Sequence, residues 1–166
     1  GAATIPTVDE LAQELLLIQQ SGPRKVAIIG TRNLPLTHQQ LVEMLSYALV
    51  LSGNQVVTSG GANGCNMAVI RGAQRANPDR LNIILPQTIS QQPGEVQDLL
   101  IGIKNIVEYP ERRTMTLADA SRICNHEIID RCQQIICFLY HTSHTLLESV
   151  NYAKEHRKIV TSFYLD

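Results

Sequence analysis

Residues 55–76 read QVVTSGGANGCNMAVIRGAQRA, and their reading decides the fold. Gln55–Thr58 is short, β-branched and apolar, the pattern of a buried parallel strand. Residues 59–66 then set Gly60, Gly61 and Gly64 in a turn, and a helical pattern follows over 64–76 until Asn77-Pro78 stops it. A strand that runs through a glycine turn into a helix is half of a βαβ unit.

The same rhythm extends outward in both directions. Strands are predicted over 24–30 (RKVAIIG), 81–85, 106–108, 134–140 (QIICFLY) and 159–164. Helices are predicted from a capping box at Thr7 and Glu10 to Ser21-Gly22-Pro23, and from a second box at Thr37 and Gln40 to about Ser52. Others run from Pro93 to about Ile101, from Thr116 (with Asp119 three residues on) to about Arg131, and over 145–156. Strands apolar on both faces, alternating with helices, predict an α/β fold with a doubly wound, mostly parallel, Rossmann-like sheet. The expected organisation is an N-terminal helix over 1–22, packed on the domain or on a partner subunit, and a single domain over 23–166. In such a sheet ligands lie beyond the C-terminal strand ends. That rule gathers five loops around one crevice: 30–36, 58–66, 86–93, 109–116 and 141–145.

With 166 residues the chain is long enough to bury a full core as one domain. A formal net charge of −1 excludes a globally basic nucleic-acid coat. The charge is uneven, however: +3 over 21–40 and +2 over 61–80, against −3 over 1–20 and −3 over 81–111. The positive segments hold the proposed crevice, which points to a local anion site. Of the 14 cationic residues 10 are Arg, whose planar fork binds phosphate bidentately. The four cysteines form no CxxC pair and read as free thiols, which implies a reducing, cytoplasmic setting. Cys124, His126, Cys132, His141 and His144 match no structural zinc spacing, so no metal is expected, nor any cofactor. No apolar run approaches the ~18–20 residues of a membrane span. No basic n-region opens the chain, so neither a signal peptide nor a membrane partner is expected.

Four segments carry chemistry. In TSGGANGCNM (58–67) the glycines let backbone approach a ligand closely, and the amides of the helix start suit a phosphate. Ser59, Asn63 and Asn66 add neutral hydrogen-bonding groups there. In GTRN (30–33), Gly30 frees the backbone after the first strand while Thr31 and Arg32 project over the same crevice. In SRICN (121–125), Arg122 and Asn125 stand three apart on one helix face. In HTSHTLLE (141–148), Thr145 is either a phosphate contact or a plain N-cap, with Glu148 closing its capping box.

These segments resemble the Rossmann domain of the DNA-processing protein A (DprA) family. GTRN is similar to that family's G-S/T-R, SGGANG to its S-G-x-A-x-G-I-D, and RICNHEII to its R-N-R-x-I. HTLLESVNYAKEHRKIV is similar to its final S-G-x-x-x-T-A-x-x-A-x-x-x-G-R-x-V stretch, so the resemblance spans residues 24–164. It implies membership of the wider SLOG superfamily. A second resemblance is to the Lonely Guy (LOG) nucleotide phosphoribohydrolases, through SGGANGCNM and the His144-Thr145-x-x-Glu148 stretch. Departures are specific. Cys65-Asn66 replaces I-D, Asn63 replaces a basic residue, and Ile123 and Cys124 interrupt the R-N-R triplet. The glycines of the second family's P-G-G-x-G-T loop are absent from residues 140–145.

The expectation is a non-catalytic domain that binds a nucleotide or single-stranded DNA. The contacts expected are Gly30, Thr31, Arg32, Ser59, Gly60, Gly61, Asn63, Gly64, Arg122, Asn125 and Thr145. The resemblance further implies self-association into a dimer or larger oligomer. The alternatives are a nucleoside 5′-monophosphate hydrolase with Glu148 as its carboxylate, and an oligomeric scaffold that has lost its ligand.

Overall fold

Four consecutive residues of β1 (Lys25–Gly30), Val26 to Ile29, are buried, so this strand has protein on both faces. The fold is described from a computed structural model, over residues 6–20, 22, 24–61 and 64–166. Along the chain follow α1 (Val8–Gln20), β1, α2 (Leu36–Leu51), β2 (Gln55–Thr58), α3 (Cys65–Ala76) and β3 (Leu81–Ile84). Then come α4 (Gly94–Leu100), β4 (Ile106–Val107), α5 (Leu117–Asp130), β5 (Gln134–Leu139), α6 (His144–Glu155) and β6 (Ile159–Tyr164).

All six strands are parallel, in the order β4-β3-β2-β1-β5-β6. This is the doubly wound sheet predicted from the sequence. The period-2 alternation of each strand divides the core in two. Val26, Ile28, Ile136 and Phe138 pack with α2 and α3 on one face. Ala27, Ile29, Ile135 and Cys137 pack with α5 and α6 on the other. The chain leaves β1 towards β2 and reaches β5 only after β4, so the direction of winding reverses between β1 and β5. That reversal opens a crevice at the strand ends. Among the described residues, no helix is long and apolar enough to cross a membrane.

α1 docks on the domain itself. Leu11 is buried against the core, and Leu15 packs beside it. Glu14, only 7% exposed, accepts hydrogen bonds from Gln134 Nε2 at 2.6 Å and Thr161 Oγ1 at 2.8 Å. Its N-terminal capping box forms as read: Glu10 N donates to Thr7 Oγ1, and Thr7 N to the Glu10 carboxylate. Thr116 likewise caps α5, accepting from Asp119 N.

Two other caps differ from the sequence reading. α2 begins at Leu36 behind Pro35, with no side-chain cap, because the fixed φ of proline (here −57°) already sets the turn. Thr37 is then inside the helix. α6 begins at His144, and its N-cap is Ser143 rather than Thr145. The Thr145–Glu148 box does not form, since the Glu148 carboxylate is taken by His126 Nε2 at 2.8 Å.

α2 and α3 pack closely against each other. Ser46 Oγ donates to Val69 O at 2.7 Å. A Cβ on Gly72 would stand 2.1 Å from Glu43 O, a backbone atom that cannot yield alone. Gly72→Ala is therefore expected to push the helices apart and lower stability by about 1–3 kcal/mol. In urea unfolding the midpoint should fall with the slope unchanged; an unaltered midpoint would show that the crossing relaxes freely.

Candidate functional site

The crevice lies beyond the C-terminal ends of β1, β2, β3 and β5, with a volume of about 590 Å³. Two loops build its floor. Thr31 N donates to Phe138 O at 2.9 Å, and Cys65 N donates to Thr31 O at 3.1 Å. These bonds tie the end of β5, the loop after β1 and the first residue of α3 in series. The approach leaves no room for side chains at two points. A Cβ on Gly30 would stand 2.6 Å from Cys65 Sγ, and one on Gly64 would stand 2.6 Å from Arg32 O. Gly64 also has φ +139°, a conformation that L side chains rarely adopt.

The turn after β2 is held from within. Asn66 Nδ2 donates to Gly60 O at 2.8 Å, and Thr58 Oγ1 donates to Ile28 O at 2.7 Å. Among the described residues, no side chain caps the N-terminus of α3. Gly61, at φ +137°, faces open space: the nearest atom to a built Cβ is Asn66 Nδ2 at 3.7 Å. On the far wall, Asn125 Nδ2 donates to Ser149 Oγ, whose hydroxyl donates in turn to Thr145 O.

Of the residues singled out from the sequence, Gly30, Thr31, Arg32, Ser59, Gly60, Gly61, Asn125 and Thr145 line this crevice. Gly64 lies beneath it, buried against the Arg32 backbone. Asn63 falls outside the described residues. Arg122 is exposed and does not line the crevice. It precedes Asn125 by less than a full turn, and Asn125 is the member of the pair turned towards α6. Glu148 is also outside, held by His126, so the hydrolase reading has no carboxylate in the crevice. Among the described lining residues there is one Arg, Arg32, and no Lys, Asp or Glu. Arg32 is exposed and forms no ion pair among the described residues.

The sequence reading missed part of the wall. The loop 109–116 contributes nothing, and the start of α5 (Leu117, Ala118) takes its place. Arg112 stacks over Tyr109 and pairs with Glu127 at 2.6 Å, which fastens that loop to the body of α5 instead. Gln92 was also missed. Its amide is packed beside Gly60, and its Oε1 is buried with no hydrogen-bond partner among the described residues. The sequence places its loop, 86–93, at the crevice, but no motif singles the residue out.

The chain shows similarity to known proteins at this point of the fold. The family model described as DNA recombination-mediator protein A matches residues 16–139. Among solved structures, DNA processing protein A from Helicobacter pylori aligns with a TM-score of 0.71 and 21% identity. The alignment covers 97% of this chain and 78% of that one, and it establishes the shared fold. That structure is described in terms of a unique single-stranded DNA binding mode. No curated protein matches the chain.

All four thiols are buried, and none lines the crevice. Burial pushes the Cys65 thiol well above its usual range, with Cys137 adding to the shift. Burial also raises Cys124 to about 12, against the opposing hydrogen bond with Ser59. Cys132 and Cys137 are raised to about 12 by the same cause. Because the thiolate is the nucleophile, none of the four should react with an aromatic disulfide reagent at pH 8 in the folded protein. All four should react once the chain is unfolded in guanidinium. A native-state titration of one or more equivalents would show that the folded core opens to solvent.

Proposed function

Because the chain belongs to the DNA recombination-mediator protein A family, we propose that it binds single-stranded DNA in the crevice, as a binding domain rather than a hydrolase. The observation that carries this reading is the crevice's electrostatic make-up. Among the described residues, Arg32 is a guanidinium without an ion pair, the start of α3 beside it has no side-chain cap, and no carboxylate lines the wall. Backbone amides and a helix dipole favour a phosphate oxygen, and Arg32 can grip it bidentately. Thr31, Ser59, Asn125 and Thr145 offer neutral polar groups on either side. The described Helicobacter pylori relative lends support through its single-stranded DNA binding. A cytoplasmic setting goes with this reading, since all four cysteines are free.

Titration of a labelled oligodeoxynucleotide across a salt series tests it. Arg32→Ala is expected to weaken binding about tenfold and to reduce the log–log salt slope by about 0.7, the loss of one phosphate contact. Gly61→Val should abolish binding while the chain still folds, because its side chain would fill the crevice mouth from a strained φ. Gly94→Ala, where a Cβ meets nothing within 4 Å, should bind as the parent does. Unchanged affinity in both Arg32→Ala and Gly61→Val would overturn the reading.

The proposal includes self-association. Leu36, Met44 and Leu51 are exposed on α2 at near-heptad spacing, and Leu16 and Leu17 are exposed on α1. Exposed apolar side chains of this kind, on two helices, are what the proposal assigns to an interface between copies. Sedimentation at micromolar concentration is expected to give a species larger than the 18.4 kDa chain; a monomer refutes this part of the reading.

A further inference from the structure

The opposite end of the sheet carries a second hollow. It opens at the N-terminal ends of β1, β2, β3, β5 and β6, with a volume of about 720 Å³. Arg24, Lys25, Arg80 and Arg131 line it, and no carboxylate or aromatic ring does. The cations are not neutralised. Among the described residues none of the four forms an ion pair. The adjacent acids are engaged elsewhere: Asp130 accepts from the Tyr152 hydroxyl at 2.7 Å, and Asp79 lies 3.7 Å from Lys104 Nζ. Glu14 bonds the far side chain of Gln134 and does not line the hollow.

Two of the guanidiniums are held in place. Arg24 Nη1 donates to Gln134 Oε1 at 3.2 Å, and Arg80 Nη1 donates to Gly53 O at 2.9 Å. Each keeps further N–H groups for a ligand. Lys25 and Arg131 are exposed beside them. Four like charges around one concavity repel each other and raise the local anion concentration. The shape of the chemistry selects the anion. Arginine forks match phosphate oxygens. No ring is present to stack a base, and Ile159 is the one large apolar lining residue, too little to anchor a peptide side chain.

We propose that this hollow binds the phosphate backbone of a nucleic-acid strand, as a second and sequence-independent contact site remote from the crevice. The ligand class rests on the DNA reading of the crevice. The six residues of β1 separate the two ends by roughly 20 Å, so only a strand long enough to run around the domain reaches both.

The test uses Lys25→Gln/Arg131→Gln, whose side chains make no hydrogen bond among the described residues, so the fold should be kept. Affinities are measured across a salt series for a short oligodeoxythymidine of about 4 nucleotides and for one several times longer. For the long strand the double variant is expected to bind about tenfold more weakly, with the log–log slope reduced by about 1.4 for two lost contacts. Binding of the short strand to the crevice should be unchanged. If the long strand keeps its affinity and slope, the second site is wrong while the crevice reading stands. If the short strand weakens equally, the effect is a general loss of charge and the second site is again wrong. A parent protein that binds neither strand overturns both readings. Binding of a polyglutamate peptide in place of the oligonucleotide, lost in the double variant, would assign the hollow to acidic protein segments and sink the proposal.

Discussion

Everything at the crevice depends on backbone lying against backbone where no Cβ can stand. Gly64 meets the main chain of Arg32, and Gly30 meets Cys65 and Phe138 O, within 2.6 to 2.8 Å of a built Cβ. Such contacts cannot be adjusted by rotating a side chain. They fix the start of α3 relative to the ends of β1 and β5 as one unit. The main chain of Arg32 is therefore held, while its side chain remains in solvent. On the reading proposed above, a cation on a rigid base beside helix amides suits an anion: the backbone is already ordered, and only the rotamers of the Arg32 side chain remain to be fixed on binding.

An all-parallel sheet makes the two ends of the molecule chemically different. At the C-terminal ends the helices begin, and partial positive charge comes from amides. At the N-terminal ends the helices finish, and full positive charge comes from arginine and lysine side chains. The first kind of charge is short-ranged and geometrically selective; the second is long-ranged and screened by salt. The near-zero net charge of the chain hides this division entirely.

The architecture was legible in the sequence because it rests on local patterns. Strands apolar on both faces, glycine punctuation and helical spacing place every strand of the sheet, and GTRN and TSGGANGCNM place the crevice. What was not legible depends on competition between partners. The Thr145–Glu148 pattern is a sound capping box until His126, on a different helix, offers Glu148 an alternative. Residues 109–116 belong at the strand ends by topology, yet Arg112 and Glu127 draw them aside. Arg122 and Asn125 share a face by arithmetic, and the packing of α6 chooses between them. Gln92 carries no motif at all, and its place comes from the return of its loop over the glycine turn.

α1 illustrates how a polar contact can set a position that apolar contacts leave open. Leu11 and Leu15 hold the helix by apolar contact, which has little direction of its own. Glu14 adds direction. Displaced by one residue, its carboxylate would leave Gln134 and Thr161, and the buried Gln134 amide would go unmet at about 1–3 kcal/mol. The helix at the edge of the fold is thus keyed to a single register, and the side chains that receive Glu14 lie in the last two strands of the chain.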